Sequence, residues 1–402
     1  MKKLKYIYLT ALLISISACT SDFEELNQDP TQITDESLKQ DFKNVGSFYP
    51  PMLKNLFGHQ IEHNLSHDSW VRHLATPTPF TGGINNTTYY MRWNTYWDRI
   101  YREIMSASSL VELKIENQQL DVPVFVEWGK LIRILGMSRL TAYHGPVIFT
   151  EFGQDGAGYD SEPILYNAFF TQLDEVQAVF NNNLDYAGLA TFDASYEGDI
   201  SQWIKVINSM RLRLAIRLSK VDPALAKLQG EKAMSDPGGL IETNDDNFMI
   251  SLYGDVFPAV TISFGWGDTR MSASMESILI GYKDPRISKF FDPATDDTLY
   301  PNHPEQPYKG IRNGAELVAK GDRLSFSNIS SDFKKVENRR FFTAAEVKFL
   351  KAEAALRGWA GAGDAKENYE AGVNISFANW GAGGVATYLA DNTSLPLNYN
   401  DP

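Results

Sequence analysis

The segment that decides the fold class is Ala344-Ala345-Glu346-Val347-Lys348-Phe349-Leu350-Lys351-Ala352-Glu353-Ala354, followed by the turn Gly358-Trp359-Ala360-Gly361-Ala362-Gly363. Apolar residues recur there at the spacing of one helical face, at Ala345, Phe349, Ala352 and Leu356. After the turn, Asp364 and Glu367 predict the capped start of a second helix. Its apolar face comprises Ala365, Tyr369, Val373 and Phe377. Two helices with small residues at their crossing, in a unit of about 34 residues, are typical of a tetratricopeptide (TPR) hairpin.

Apolar stripes with the same periodicity occur earlier in the chain. Pro163 and Pro223 each follow an acidic residue and predict helix starts, and Asp199 with Gln202 resembles a capping box. The stripes are, in chain order, Trp93, Trp97, Ile100, Ile104 and Val111; Phe125, Trp128, Ile132 and Leu135; Leu165, Phe169, Leu173, Val176, Phe180 and Leu184; and Trp203, Ile207, Met210, Leu214 and Leu218. Because these helices are similar in length but lack a clean consensus, we predict a mainly α fold of divergent TPR-like helical hairpins.

The region from 236 to 340 differs in character from the rest of the chain. Glycine, proline and aspartate cluster there and long helical stripes are absent. We therefore predict a loop-rich second subdomain that carries short strands and one helix near Ser274 to Tyr282. On either side of it, residues 35–235 form the helical TPR-like scaffold and residues 341–402 a returning TPR-like hairpin.

Two breaks are expected within the scaffold, and one at the end of the chain. Pro50-Pro51 should interrupt the first helical region, and the proline, glycine and asparagine residues from Ala75 to Thr88 predict an irregular loop. Because the chain stops in polar sequence directly after one hairpin, we also expect a missing C-terminal part, since solenoids normally end in a polar-faced cap.

The amino terminus has the pattern of a lipoprotein signal peptide. Three lysines precede an apolar run that is too short to cross a bilayer, and the run ends in Ile16-Ser17-Ala18-Cys19. Cys19 is the only cysteine in the chain, so we expect it to carry the lipid. Residues 1–18 are then the signal peptide, and residues 19–34 form the lipid anchor and an extended polar tether.

Composition excludes several classes of function. The formal net charge of −13 opposes binding to nucleic acid and to anionic lipid. With a single cysteine, neither an intrachain disulfide nor a thiolate zinc site can form. The sequence also lacks the motifs of a nucleophile elbow, a phosphate-binding loop and a dinucleotide site.

Six short segments, in order along the chain, together resemble one family. They are Cys19 to Pro30, Tyr96 to Tyr101, Tyr143 to Val147, Gly198 to Ala215, Asp284-Pro285-Arg286, and Ala344 to Ala354. Each is weak alone, but as an ordered set they resemble the SusD/RagB outer-membrane lipoproteins, and within these the SusD-like branch. The resemblance implies a TPR-like scaffold with a loop-rich second part. It also implies a surface-exposed, lipid-anchored location on the outer membrane.

The resemblance further implies a non-enzymatic role in nutrient uptake. Such proteins capture a nutrient, most often an oligosaccharide, and deliver it to a SusC-type TonB-dependent transporter. A peptide-binding RagB-like role is the main alternative on the same scaffold. A surface metal-dependent hydrolase or a glycosidase is a further alternative, because the separation of paired carboxylates depends on the fold.

Two loops carry the residue types that glycan capture requires. A sugar presents flat C–H faces and a rim of hydroxyl groups, so its site combines exposed aromatic rings with planar polar side chains. The ligand loop 67–93 and the segment from Phe264 to Arg270 supply this mixture. The expected aromatic platforms are Trp266, Tyr89, Tyr90, Trp70 and Trp93. The expected partners of the hydroxyl groups are Asn85, Asn86, Asp268 and Arg72. Packing in the core is the competing interpretation for each tryptophan.

Metal sites receive only weak support. His59 and His63 have the i, i+4 spacing that can share a metal, but the sequence lacks the glutamate position of a metalloprotease. Asp292, Asp296 and Asp297 suit calcium by residue type, without the glycine and distal glutamate of a calcium loop. We therefore predict no cofactor, with calcium as the one alternative.

Overall fold

A computed structural model describes residues 40–58, 60–79, 97–301, 305–316 and 318–391. The chain divides into two units, residues 1–45 and 46–402. In the first unit the described part contains the single-turn 3₁₀ helix Gln40–Phe42 and the start of the short helix Lys43–Gly46. Across the described ranges, no helix combines the length and the apolar character needed to cross a membrane.

Helices dominate the second unit, which confirms the mainly α fold class. The long helices are α1 (Ser106–Asn117), α2 (Pro123–His144), α3 (Glu162–Asn181), α4 (Ile200–Leu218), α5 (Pro223–Ser235), α6 (Ala344–Leu356) and α7 (Ala365–Asn379). The short helices are Tyr49–Lys54, Gln60–Glu62, His67–Trp70, Trp97–Ile100, the π-helical turn Tyr101–Met105, Asn244–Asp246, Pro258–Val260, the π-helical turn Thr261–Gly265, Ala273–Gly281, Ile287–Phe290, Asp297–Leu299, Lys320–Arg323, Ser331–Lys335 and Val385–Ala390.

Helices α1 to α5 stack in chain order, each against the next, as expected for TPR-like hairpins. Buried aromatic rings join the layers: Trp128 of α2 stacks on Tyr49 with 4.5 Å between ring centroids and meets Trp203 of α4 edge-on at 5.6 Å. The Trp203 indole donates a 2.7 Å hydrogen bond to the buried carboxylate of Asp193. The predicted start of α4 is confirmed, since Asp199 accepts a hydrogen bond from the backbone N–H of Ser201.

Arginines of α4 pair with carboxylates on neighbouring helices. Arg211 is fully buried and lies 2.5 Å from Asp174 of α3, while Arg213 makes two 2.7 Å hydrogen bonds to Glu346 of α6. The guanidinium of Arg213 also lies over the ring of Phe342, 3.4 Å from its centroid. The Arg213–Glu346 pair anchors the returning hairpin to α4, whereas the Arg211–Asp174 pair joins α4 to α3.

Glycines allow close packing at the returning hairpin. A Cβ on Gly372 of α7 would lie 2.9 Å from the ring of Phe349 in α6, and one on Gly230 of α5 would lie 2.3 Å from the ring of Trp359. Trp359 is buried in the predicted turn between α6 and α7. The small residues expected at the helix crossing are therefore used, both within the hairpin and where it docks on α5.

The loop-rich segment contributes two small antiparallel sheets. Strand β1 (Leu74–Ala75) pairs with β3 (Arg270–Met271), and β2 (Phe248–Ser251) pairs with β4 (Asn338–Phe342). In the first sheet, a strand from within the helical scaffold pairs directly with the loop-rich segment. The predicted helix near Ser274 to Tyr282 is confirmed as Ala273–Gly281.

The segment Asp284-Pro285-Arg286 links the loop-rich segment to α7. The Arg286 guanidinium hydrogen-bonds both oxygens of Asp284, the shortest bond being 2.6 Å, and donates to Ser376 of α7 at 2.7 Å. It also lies 4.6 Å from the centroid of the Phe377 ring. These contacts explain the structural role of Asp284-Pro285-Arg286, which is one of the six segments that carry the family resemblance.

Local expectations differ from the structure in several places. The break expected at Pro50-Pro51 occurs just before them: the helix Lys43–Gly46 ends, and the helix Tyr49–Lys54 begins with both prolines in its first turn, where a missing N–H costs no intrahelical bond. Ala75 belongs to β1 and not to the loop. Leu184 lies beyond the end of α3 and is 54% exposed.

The stripe expected in α6 also differs from its buried face. Phe349 and Leu356 are exposed, whereas Ala344, Val347 and Ala354 are fully buried. The reason is that α6 packs between α4 and α7, so its buried surface is wider than a single stripe.

Candidate functional site

The two loops expected to bind ligand meet at the first sheet. In β1 and β3, Leu74 lies opposite Met271 and Ala75 opposite Arg270. The Asn313 amide donates to the carbonyl oxygens of Ser69 and Leu74 at 3.1 and 3.2 Å, which fixes the first part of the ligand loop. The two loops were expected in different subdomains. The pairing of β1 with β3 brings them together.

Asp268 connects the two loops through its side chain. Thr78 donates a hydrogen bond to the Asp268 carboxylate at 2.5 Å, and the Lys320 ammonium lies 2.6 Å from the same oxygen. Asp268 is only 8% exposed. We expected this carboxylate to contact ligand hydroxyl groups; its contacts among the described residues indicate that it also holds the loops together.

Trp266 projects into solvent beside a cavity of about 250 Å³. Its side chain is 42% exposed, and its backbone is held by a 2.9 Å hydrogen bond from its N–H to the carbonyl of Thr261. Gly267 adopts φ of 66°, which lets the chain turn sharply after the tryptophan. Trp266 is thus an exposed ring on a fixed backbone, although a role in ligand binding remains a prediction.

Trp70 and Arg72 lie on the helical-scaffold side of the site. Trp70 is half-buried, and Arg72 is exposed with φ of 57°. The Trp70 ring meets the His67 imidazole edge-on at 5.6 Å. The indole N–H of Trp70 is buried without a hydrogen-bond partner among the residues that the structure describes.

Several expected site residues lie outside the described residues. They are Tyr89, Tyr90, Trp93, Asn85 and Asn86 in the ligand loop, together with Cys19 and His59. Their expected roles in ligand binding, lipidation and metal binding stay predictions.

Aromatic side chains from three further segments continue the ring contacts that begin at Trp70. They were not among the expected ligand-binding residues. We define the aromatic row as Trp70, His67, Tyr143, His144, Trp97 and Tyr159. The His67 and Tyr143 rings stack 4.3 Å apart with 15° between their planes. His144 meets Trp97 at 5.3 Å, and Trp97 lies 6.0 Å from Tyr159.

The aromatic row offers accessible ring surface. Tyr143 is 37% exposed and Tyr159 is 64% exposed. Burial lowers the pKa of His67 and outweighs the opposing effect of Asp68 and Glu62, so the imidazole is neutral at pH 7. A neutral imidazole beside exposed rings suits an uncharged polar ligand.

Two of the six segments that carry the family resemblance contribute residues to the aromatic row. Helix α2 ends at His144, where Gly145 takes φ of 76° and the Thr141 hydroxyl donates to the Gly145 carbonyl at 2.7 Å. The Tyr101 hydroxyl accepts a 2.7 Å hydrogen bond from the backbone N–H of Ile148, which fixes Tyr101 to Val147 and its neighbours. The segments Tyr96–Tyr101 and Tyr143–Val147 were the available signal, but their contact depends on the fold.

The described ranges contain no cluster of three or more His, Cys, Asp or Glu side chains suited to a metal. His63 instead lies 3.3 Å from Asp68. Asp292 accepts hydrogen bonds from Ser331, and Asp296 caps Thr298 at 3.0 Å.

Comparison with known proteins adds a family and a set of similar structures. Residues 25–402 match the family model described as SusD-like, SusD and RagB outer membrane lipoprotein. No curated protein sequence matches the chain.

Three similar solved structures illustrate the likeness. A chitin-binding SusD homolog from Flavobacterium johnsoniae is 36% identical with a TM-score of 0.80, over 87% of this chain and 74% of that one. A SusD homolog from Bacteroides uniformis is 31% identical with a TM-score of 0.78, over 89% and 75%. A SusD-like protein from Bacteroides thetaiotaomicron is 30% identical with a TM-score of 0.77, over 89% and 74%.

Proposed function

Because the chain belongs to the SusD and RagB family of outer membrane lipoproteins, we propose that it binds nutrient oligosaccharides at the cell surface. It acts by capture and not by catalysis. The fold gives this proposal a rigid platform, since stacked helices and two small sheets hold the candidate site.

The aromatic row is the observation that carries the proposal. Pyranose rings bind proteins by laying C–H faces on aromatic rings while polar groups take the hydroxyls. The row supplies the partly exposed ring of Tyr143 and the exposed ring of Tyr159, and the imidazole of His67 adds a polar group. The ligand loop 67–93 ends four residues before Trp97 in the chain and adds further polar and aromatic side chains to this region of the sequence.

Similarity supports a glycan as the ligand class. The Flavobacterium johnsoniae protein, at 36% identity, is described as chitin-binding. The identity of the sugar recognised by this chain is a separate question, so the first test uses a panel of oligosaccharides.

Location and partner complete the proposal. A lipid on Cys19, at the end of the signal-peptide pattern Ile16-Ser17-Ala18-Cys19, anchors the chain to the outer membrane, and the folded part of the protein is exposed at the cell surface. A SusC-type TonB-dependent transporter receives the captured ligand. Both statements rest on the sequence pattern and the family, and labelling of intact cells with an impermeant reagent together with co-purification of the transporter tests them.

Peptide capture by a RagB-like mechanism is the weaker candidate. An apolar groove beside Trp266 would favour it, but the cavity at that position is lined by charged side chains, including Lys54, Arg99 and Arg339. A charged cavity is better matched to a polar ligand.

Calorimetry of the full chain against neutral oligosaccharides, with chitin tetramer included, tests the function. At least one glycan should bind, and Tyr143→Ala and Trp97→Ala should each weaken it about tenfold or more, a loss of roughly 1.4 kcal/mol. Phe349→Ala is the matched control, because Phe349 is similarly exposed at 39% but lies on α6. Absence of binding to every glycan, with binding to peptides instead, would refute glycan capture.

A further inference from the structure

The cavity beside Trp266 has an unusual balance of charge for a protein of net charge −13. We define the basic pocket as this cavity of about 250 Å³, with Lys54, Arg99, Arg339, Asp255 and Trp266 in its lining. Sites that enclose a whole small ligand usually measure about 300–1,000 Å³. The basic pocket therefore has room for one ring or one substituent of a larger ligand.

Arg339 is the most informative residue of the basic pocket. It is 8% exposed, and its guanidinium lies over the rings of Phe57 and Phe257 at 5.1 and 5.8 Å. Within the described ranges its Nε is buried without a hydrogen-bond partner, and Asp255, the carboxylate that attracts its charge, is paired with Lys54. A buried cation whose charge is only partly balanced is costly, and an arriving anion reduces that cost.

Nearby acids balance only part of the positive charge. Asp255 pairs with Lys54, and Glu62 lies 4.0 Å from Nε of Arg99. The three cations thus face two carboxylates, and each carboxylate contacts a cation other than Arg339. Burial and repulsion from Arg99 lower the pKa of Arg339 to about 10 against the attraction of Asp255, so the side chain remains charged at neutral pH.

We propose that the basic pocket binds the anionic group, a carboxylate or a sulfate, of an acidic sugar residue whose ring lies against Trp266. The planar guanidinium of Arg339 matches the paired oxygens of such groups. Trp266, which lines the pocket and is 42% exposed, provides the ring face. This inference rests on the proposed glycan binding and names the class of glycan.

Matched oligosaccharide pairs test the charge preference on the full chain. One pair is tetragalacturonic acid and its methyl ester, and the other is a sulfated galactan tetrasaccharide and its desulfated form. The acidic member of at least one pair should bind about tenfold more tightly at low salt, as expected for hydrogen bonds to charged groups. The pair that shows the difference distinguishes a carboxylate from a sulfate.

The variant Arg339→Gln should abolish this preference, so that the acidic and neutral members of the pair bind with equal affinity. Arg357→Gln, which removes an exposed arginine paired with Glu353, is the control and should retain the preference. If Arg339→Gln does not fold, Arg99→Gln removes a second cation from the pocket and should reduce the same preference.

Two results would overturn the inference. In the first, acidic and neutralised members of both pairs bind equally. In the second, the preference persists in both arginine variants. If chitin tetramer still binds in either case, only the acidic-sugar inference fails; if no saccharide binds at all, the proposed function fails together with it.

Discussion

The hydroxyl of Thr78 donates a 2.5 Å hydrogen bond to the carboxylate of Asp268, joining two loops that lie 190 residues apart in the chain. Lys320 completes the contact with an ion pair to the same oxygen and a hydrogen bond to the Trp266 carbonyl. Through Asp268, the start of the ligand loop and the exposed Trp266 are therefore held in one arrangement.

Loss of the Asp268 charge should loosen this arrangement. Asp268→Asn removes the ion pair to Lys320 in a setting where Asp268 is only 8% exposed. We expect the free energy of unfolding to fall by about 1–3 kcal/mol, since hydrogen bonds and ion pairs at buried groups are worth this much. Urea unfolding measures it. The exposed Asp322 is the control position, and equal losses for Asp268→Asn and Asp322→Asn would contradict the role of Asp268.

A second carboxylate makes stability depend on pH. Burial raises the pKa of Asp246, but hydrogen bonds from Lys205, Thr243 and the backbone of Glu242 outweigh it and hold the value at about 2. Because the folded pKa is below the unfolded one, the stabilisation is present above about pH 4 and disappears as pH falls towards 2.

The variant Asp246→Asn should therefore cost about 2 kcal/mol at pH 7, and the cost should shrink as the pH is lowered from 5 to 2. Unfolding curves at a series of pH values give the difference directly. Asp245→Asn, at the exposed neighbouring position, should show almost no difference at any pH. A cost for Asp246→Asn that does not vary with pH would exclude this account of the Lys205–Asp246 pair.

Docking of the returning hairpin depends on Gly230. A Cβ there would lie 2.3 Å from the ring of Trp359, and overpacking of this kind costs about 1–3 kcal/mol. Gly230→Ala should lower the melting temperature, although alanine favours helices. Gly281→Ala is the control, because a Cβ at Gly281 meets nothing within 4 Å. Equal melting temperatures for the two variants would show that Trp359 is not packed against α5.

Periodic elements of the fold could be predicted from sequence because each helix repeats its own signal. The stripe from Leu165 to Phe180 and the proline after Glu162 correspond closely to α3. In α6, which packs against two helices, the buried surface is wider than the single apolar stripe that the sequence predicted. The break at Pro50-Pro51 was expected slightly too late in the chain, because proline disfavours the interior of a helix but fits its first turn.

The candidate site was less accessible to prediction. Trp266 stood out because glycines flank it, and its ring is indeed exposed. Tyr143, His144 and Trp97 gave only helical stripes or weak motifs, because their shared surface arises where the end of α2 meets the helix Trp97–Ile100. Arg339 was not noticed for a related reason: its partly balanced charge depends on which carboxylates the fold brings near.

Substitution of Trp266 separates the contribution of its aromatic ring to binding from that of the charged side chains of the basic pocket. Trp266→Ala should weaken the acidic oligosaccharides that occupy the basic pocket by about tenfold, while Trp266→Phe keeps a ring and should retain most of the affinity. Fluorescence titration of both variants with tetragalacturonic acid and the sulfated tetrasaccharide measures this. Equal affinities for both variants would mean that the ring makes no contact with the ligand.

A crystal structure of the full chain with its tightest-binding oligosaccharide tests the central claim most directly. The account predicts that at least one pyranose ring lies stacked on Tyr143, Trp97 or another ring of the aromatic row. A fully ordered oligosaccharide bound elsewhere, with the aromatic row in contact only with solvent, would contradict it.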